Sequence, residues 1–174
     1  IERDHFESVK VLLENGADQD IPDFALNRPC HFAKSRFVAN ILEFSEKLNA
    51  AGLSALDIAV VNGNVDVLDV FLSKASAIEK KASNLMFCAA RSRTAASIEF
   101  LLRKFPYFPR DSRNKSGNSV LMEAVQHGSY EPFKFFISHG FEVDFRSVNN
   151  EGQNILDLSK MSKNIGIARF LEKS

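Results

Sequence analysis

A short apolar pattern returns five times along the chain, and this repetition limits the possible folds more than any other feature. Its copies occupy 28–34, 54–60, 84–90, 119–125 and 154–160. After each copy comes a polar break and then a second apolar segment, and these segments occupy 38–42, 65–72, 97–102, 132–137 and 165–171. A sixth segment of the second kind, at 6–13, stands alone at the start. Two short helices cannot bury their apolar faces alone, so the pattern predicts stacked helix pairs that share one continuous core.

The spacing of the copies indicates a repeat of about 33 residues. Measured from His31 to Asp57, Phe87, Met122 and Asp157, successive copies are 26, 30, 35 and 35 residues apart. Each segment is predicted to be a helix. In 65–72 only Asp66 and Asp69 are polar, and their separation of three residues puts them on one helix face. Gly63 and Gly128 fall in the breaks, where a residue without Cβ makes a tight turn easy.

These repeats resemble the ankyrin-repeat family, whose first helix begins with T-P-L-H-x-A in a unit of about 33 residues. One good match is GLSALDIA at 52–59, and another runs from Gly117 to Asp144. The segment ENGAD at 14–18 looks like the end of a repeat. The resemblance covers at least 5–173. It departs from the family pattern where Arg93 replaces the glycine between helices and where Phe105–Pro109 replaces the Gly-Ala-Asp ending.

The resemblance implies an all-α ankyrin-repeat solenoid of stacked helix–turn–helix units with short hairpin fingers. We expect one domain over 1–174, made of six units. The first is truncated and the second is shortened, and the predicted boundaries are 1–22, 23–48, 49–78, 79–113, 114–148 and 149–174. Because the chain opens on Ile1 rather than methionine, we expect it to be a fragment of a longer protein.

Composition argues against several classes of protein. The 22 basic and 22 acidic residues give no net charge, which disfavours nucleic acid as a partner of the whole chain. No apolar run approaches the roughly 20 residues of a membrane span, so membrane insertion is not expected. The two cysteines, Cys30 and Cys88, cannot form a disulfide framework and suit a reducing compartment. We expect a cytoplasmic or nuclear location.

The sequence gives no support for catalysis, a metal or a cofactor. Cys30 and His31 are adjacent, but catalysis requires convergence with a third, orienting group, so capping of a helix is the favoured role of His31. The cysteines and histidines lack zinc spacing, and no phosphate-binding glycine loop occurs. Asp57 and Asp157 occupy the family's histidine position and are predicted to bond to local backbone.

The neutral total hides a segregation of charge along the chain. Residues 1–73 hold 6 basic and 12 acidic residues, a net charge of −6. Residues 74–116 hold 10 basic and 3 acidic residues, a net charge of +7, and residues 117–174 hold 6 and 7, a net charge of −1. Sequence order is stacking order in a solenoid, so the basic charge is concentrated in the middle repeats.

In the family, partners bind in a groove between the fingers and the first, inner helices. The candidate binding residues on the fingers and inner-helix ends of the fourth and fifth units are Lys80, Lys81, Ser83, Arg91, Arg113, Lys115, Asn118, Gln126 and His127. Such a groove would dock an acidic or phosphorylated peptide, with Arg favoured for bidentate contacts. The alternative is a solvated basic face that serves solubility.

Two further questions stay open at this point. Phe105–Pro109 is either an exposed hot spot for a partner or, as we favour, a segment that folds back to cap a helix. The whole chain is predicted to be a non-catalytic scaffold that binds a partner protein or peptide. The alternatives are a regulatory or targeting module of a larger enzyme or effector, and nucleic-acid binding through the basic middle repeats.

Overall fold

The computed structural model describes residues 2–76, 78–162 and 164–173, with side chains for 6–76, 81–162 and 164–173. Within these residues the chain forms ten α-helices and one 3-10 helix, and no strand. This confirms the all-α prediction. The chain divides into two compact units, Ile1–Ile78 and Glu79–Ser174, which are described separately.

The first unit is built around the pair formed by the third and fourth α-helices. Its helices are α1 (Glu2–Glu14), a 3-10 helix (Pro29–Phe32), α2 (Arg36–Ile41), α3 (Ala55–Val61) and α4 (Val65–Lys74). α3 packs against α4 and the 3-10 helix, and α2 packs against α1 and α4. Leu56, Leu68 and Phe71 are fully buried between these helices, which is the burial that the apolar periodicity predicts.

The second unit repeats the helix-pair arrangement with a core rich in phenylalanine. Its helices are α5 (Ile78–Ala90), α6 (Ala96–Lys104), α7 (Val120–Gln126), α8 (Tyr130–Ser138), α9 (Ile155–Met161) and α10 (Ile165–Leu171). α7 packs against α8 and α9, and α10 packs against α8 and α9. Phe133 and Phe136 are fully buried, together with Met122 and Ile155.

Hairpin turns precede several inner helices, and each turn is closed by an Asp or Asn side chain. The Oδ1 atoms of Asp23, Asn49, Asn114 and Asn149 each accept two backbone N–H groups, from residues two and four positions further on. Backbone hydrogen bonds join consecutive turns, from Ala50 N to Ala25 O at 2.8 Å in the first unit and from Asn150 N to Ser116 O at 3.0 Å in the second.

The fourth predicted repeat begins differently. Its opening residues form the first turns of α5, a helix of 13 residues, instead of a hairpin finger. The predicted placement of Lys80, Lys81 and Ser83 on or beside a finger is therefore wrong, because all three belong to α5. The segment has no glycine, aspartate or asparagine to close a turn near its start, whereas Glu, Lys and Ala favour helix.

The shortened second repeat keeps only abbreviated helices, and a lysine from the next repeat closes the end of α2. Lys74 Nζ donates to the carbonyl oxygens of Ala39, Asn40 and Leu42 at 2.9, 2.9 and 2.8 Å. A cation at this end also interacts favourably with the helix dipole. Lys74 belongs to the basic stretch in sequence, but its charge is used to close a helix.

The turn at Asp23 carries strain that the other turns avoid. Leu26 has φ 59°, the left-handed conformation, at the position that glycine fills in the turns at Asn49, Asn114 and Asn149. Leu26→Gly is expected to raise the free energy of unfolding of the first unit by about 1 kcal/mol, because relief of strain exceeds the added entropy of the unfolded chain. Urea unfolding measures this change. The exposed Leu48, which has no positive φ, provides the control: Leu48→Gly should destabilise, and equal effects of the two changes would contradict the prediction.

Candidate functional site

A buried carboxylate on an inner helix is the centre of an extensive polar cluster in the second unit. Glu123 lies in α7. Ser119 caps the start of this helix, because its Oγ accepts a hydrogen bond from the backbone N–H of Met122 at 3.2 Å. Although glutamate is rarely buried without a partner, Glu123 is only 2% exposed. A carboxylate in such a position requires hydrogen-bond donors on both oxygens.

Four side chains supply these donors. Arg91 Nε donates to Glu123 Oε1 at 2.5 Å, and His127 Nε2 lies 3.4 Å from the same oxygen. Asn114 Nδ2 and Asn118 Nδ2 donate to Oε2 at 2.8 and 3.0 Å. Arg91 is the residue after α5, and His127 is the residue after α7. The two asparagines lie in the turn before α7. The carboxylate therefore links two successive repeats.

The cluster continues through amide side chains into the next repeat. Asn118 Nδ2 also donates to Gln126 Oε1 at 2.6 Å. Asn149 Nδ2 donates to Asn118 Oδ1 at 3.0 Å and to Gln153 Oε1 at 3.1 Å. We call this set the Glu123 network; its members are Arg91, Asn114, Asn118, Glu123, Gln126, His127, Asn149 and Gln153. It connects three successive helix pairs of the second unit.

The surroundings of Glu123 keep it ionised. Burial alone would raise the pKa of this carboxyl, but hydrogen bonds from His127 and Asn118, together with the charge of Arg91, outweigh it and lower the pKa from 4.5 to about 2. The positive charge of Arg91 is thus compensated by a permanent negative charge. Counting basic residues along the sequence does not detect this pairing.

The structure brings together four of the predicted binding residues and separates the others. Arg91, Asn118, Gln126 and His127 all belong to the Glu123 network. The others lie elsewhere: Arg113 donates to Gly117 O at 3.2 Å and to Ser147 Oγ, and Lys115 lies at the exposed tip of its turn. Lys81 and Ser83 are half-buried in α5, and the side chain of Lys80 lies outside the described residues. The binding role of all nine residues stays a prediction.

Sequence reasoning missed Glu123, the residue that organises this cluster. A usable signal was present, since Glu123 lies three and four residues before Gln126 and His127 on one helix, the spacing at which side chains meet. The contact with Arg91, 32 residues earlier, depends on the folded chain and cannot be read from local spacing.

The residues whose chemical types suggest catalysis cap helix ends instead. His31 Nδ1 lies 3.7 Å from Cys30 Sγ, but it accepts the backbone N–H of Arg28 at 3.1 Å, and burial raises the pKa of the Cys30 thiol. Asp57 accepts the N–H of Ser54 at 2.9 Å, and Asp157 accepts the N–H of Asn154 at 3.1 Å. These contacts confirm the predicted capping and local-backbone roles.

The aromatic segment Phe105–Pro109 mainly ends a helix. Phe105 N–H donates to Leu101 O at 2.8 Å, which closes α6, and Phe108 is 8% exposed and packs against Phe141 with ring centroids 6.4 Å apart. This confirms the capping prediction for the two phenylalanines. Tyr107 between them is 95% exposed.

An open cleft of about 670 Å³ adjoins the Glu123 network. It is lined by Gln126, His127, Gly128, Met161, Ser162, Asn164 and Ile165. Met161 and Ile165 are 69% and 68% exposed, so the cleft offers apolar contact area beside the polar cluster.

In the described part of the chain, no group of three or more His, Cys, Asp and Glu residues could hold a metal ion. None of the described helices has the length and apolar content to cross a membrane.

Comparison with known proteins identifies the family. The family model for ankyrin repeats, in three copies, matches residues 85–174. No curated protein sequence matches the chain. One similar solved structure is that of the Bd0816 predatory endopeptidase from Bdellovibrio bacteriovorus in complex with immunity protein Bd3460: a chain of it aligns with a TM-score of 0.65 and 22% identity, over 95% of this chain and 90% of that chain. At this identity the likeness shows the fold. The chain belongs to the ankyrin-repeat family, whose stacked helix pairs serve protein–protein interaction.

Proposed function

We propose that this chain is a non-catalytic scaffold that binds an acidic or phosphorylated segment of a partner protein in the groove between the fingers and inner helices of the second unit. The single observation that carries the proposal is the convergence of Arg91, Asn118, Gln126 and His127 in one network beside an open cleft. Arg91, Gln126 and His127 are exposed, whereas Asn118 is buried and holds Glu123 and Gln126 in place. Because Arg91 and Gln126 belong to different repeats, a ligand that contacts both must span two repeats.

Charge supports an acidic partner. The +7 of residues 74–116 is partly used internally, by Lys74 at the end of α2 and by Arg91 at Glu123. Arg93 and Lys115 are exposed, and neither side chain forms an ion pair or hydrogen bond with any described residue. These two cations remain available to a carboxylate or phosphate. Charges at the rim of an interface mainly accelerate association and select the partner.

The cleft supplies the contact area that charge alone cannot. Met161 and Ile165 are exposed at its edge, and apolar anchors near the centre of an interface carry much of the binding energy. The surrounding helices are packed before binding, so the protein side loses little conformational entropy when a segment docks.

A binding assay with charge-matched variants tests the proposal. The probes are fluorescein-labelled poly-glutamate and poly-glutamine peptides of equal length and a phosphoserine peptide, measured by fluorescence anisotropy. We expect the unmodified chain to bind the two anionic probes and not poly-glutamine. Arg93→Glu combined with Lys115→Glu should weaken anion binding about tenfold, because two rim charges change sign.

A second double variant controls for net charge. Arg103→Glu with Lys104→Glu makes the same change in total charge at exposed residues in the last turn of α6. This variant should bind the anionic probes almost as well as the unmodified chain. Equal weakening by both double variants, or no preference for anionic probes, would contradict an acidic docking site in this groove.

A further inference from the structure

We infer that Glu123 orients the surrounding side chains so that the network presents hydrogen-bond donors outward, for a carboxylate flanked by peptide carbonyl groups. This inference rests on the proposed function and specifies the partner further: an extended acidic segment that is recognised by hydrogen bonds, and not by positive charge alone. Glu123 is here a positioning residue, because its own oxygens are buried.

The acceptors of the network are directed inward. Both Glu123 oxygens are occupied, by Arg91 and His127 on one side and by Asn114 and Asn118 on the other. The side-chain amide oxygens around this carboxylate are also occupied. Asn118 Oδ1, Gln126 Oε1 and Gln153 Oε1 each accept a hydrogen bond from another member of the network.

Most of the unused groups of the network are donors. Arg91 uses only Nε to bind Glu123, its side chain is 39% exposed, and its Nη1 and Nη2 groups have no partner among the described residues. Gln126 is exposed and donates to no described residue through Nε2. Gln153 Nε2 has only a contact with Met161 Sδ at 3.5 Å, and a thioether is a weak acceptor.

This arrangement determines what can bind. Two parallel N–H groups of a guanidinium match the two oxygens of a carboxylate, and fixing Nε prepares this geometry before the ligand arrives. The amide NH2 groups of Gln126 and Gln153 complement backbone carbonyl oxygens. Because donors outnumber acceptors on this surface, a donor-rich ligand would leave N–H groups unpaired and is disfavoured.

The inference makes a prediction opposite to that of simple charge attraction. Glu123→Gln removes a negative charge from the site, so an anion drawn only by charge would bind more tightly. If Glu123 positions the donors, the same substitution weakens binding, because the new amide places its own N–H group among the donors and releases Arg91. The sign of the change distinguishes the two explanations.

The experiment measures poly-glutamate binding to the chain and three variants by fluorescence anisotropy, after circular dichroism has verified folding. Glu123→Gln should weaken binding about tenfold, and Arg91→Lys should do the same although its charge is retained, because an ammonium cannot form the bidentate contact. Glu142→Gln, which removes an exposed carboxylate outside the network, should leave binding equal or slightly tighter. Raising the salt concentration should reduce the effect of Glu142→Gln and preserve the losses at Arg91 and Glu123.

Each outcome has a definite meaning. Absence of poly-glutamate binding by the unmodified chain contradicts the proposed function and removes the basis of this inference. Binding by the unmodified chain, with equal or tighter binding by Glu123→Gln, leaves the proposed function intact and overturns the positioning role. If Glu123→Gln does not fold, Arg91→Lys decides: affinity equal to that of the unmodified chain overturns the inference, and a loss supports it.

Discussion

Glu123→Gln is expected to lower the free energy of unfolding of the second unit by about 3 kcal/mol at neutral pH. The carboxylate accepts hydrogen bonds from Arg91 and from two asparagines, and its pKa is lowered from 4.5 to about 2. A shift of this size corresponds to about 3 kcal/mol of preference for the ionised form. Glutamine has nearly the same shape, so the loss reflects charge and hydrogen bonding and not a cavity. Urea unfolding followed by circular dichroism measures it.

The same residue predicts a pH dependence with a definite sign. Because the native carboxyl of Glu123 has the lower pKa, the unfolded chain binds this proton first as the pH falls. The contribution of Glu123 to stability is complete above about pH 5 and is lost between about pH 5 and about pH 2. The difference in stability between the unmodified chain and Glu123→Gln should therefore be largest near pH 7 and shrink towards pH 2.

An exposed glutamate of the same unit provides the comparison. Glu142→Gln should change the free energy of unfolding by no more than about 0.5 kcal/mol. The shrinking difference at low pH should also be absent for this variant. A difference between the unmodified chain and Glu123→Gln that stays constant from pH 7 to pH 3 would contradict the role of the ionised carboxylate.

The elements that sequence predicts well are those determined by nearby residues. Apolar spacing within one helix identifies α3, α4, α7 and α8, and a serine or asparagine before a helix marks its start, as Ser54 does for α3. The turns at Asn49 and Asn114 follow from an amide and a glycine three residues apart. Each of these helices and turns is determined by fewer than about ten consecutive residues.

The features that sequence does not predict depend on packing between repeats. The family pattern indicates a finger before the inner helix of the fourth repeat, but local helix preference wins there and α5 begins at Ile78. Arg91 and Lys74 count as members of a basic stretch, although one binds Glu123 and the other closes α2. A charge count assigns a sign to each residue and cannot show which charges already have partners.

Gly117→Ala is expected to destabilise the second unit by about 3 kcal/mol, because two separate effects coincide at this position. Gly117 has φ 77°, which disfavours any residue with a Cβ. An added Cβ would also lie 2.5 Å from Asn150 Oδ1 and 2.9 Å from Asn150 N, closer than atoms can approach. That backbone N–H donates to Ser116 O, so the next turn must move away and lose the hydrogen bond.

Gly152 provides a comparison in which an added Cβ meets the backbone strain but not the collision. It has nearly the same φ, 74°, but an added Cβ would meet nothing within 4 Å. Gly152→Ala should therefore cost only about 1 kcal/mol, the conformational term alone. Equal destabilisation by the two substitutions in urea unfolding would contradict this prediction. It would show that the collision with Asn150 is relieved at no cost in stability.

The consequence of Gly117→Ala should extend to binding. Its turn carries Asn114 and Asn118, which hold Glu123, and the turn that it displaces carries Asn149, which holds Asn118. Separating the two turns should open the Glu123 network at its centre, so poly-glutamate affinity should fall even in preparations that remain folded. Gly152→Ala leaves the contact between the turns in place and should retain affinity. Fluorescence anisotropy of both variants, under conditions where circular dichroism shows equal helix content, tests whether contact between turns positions the donors.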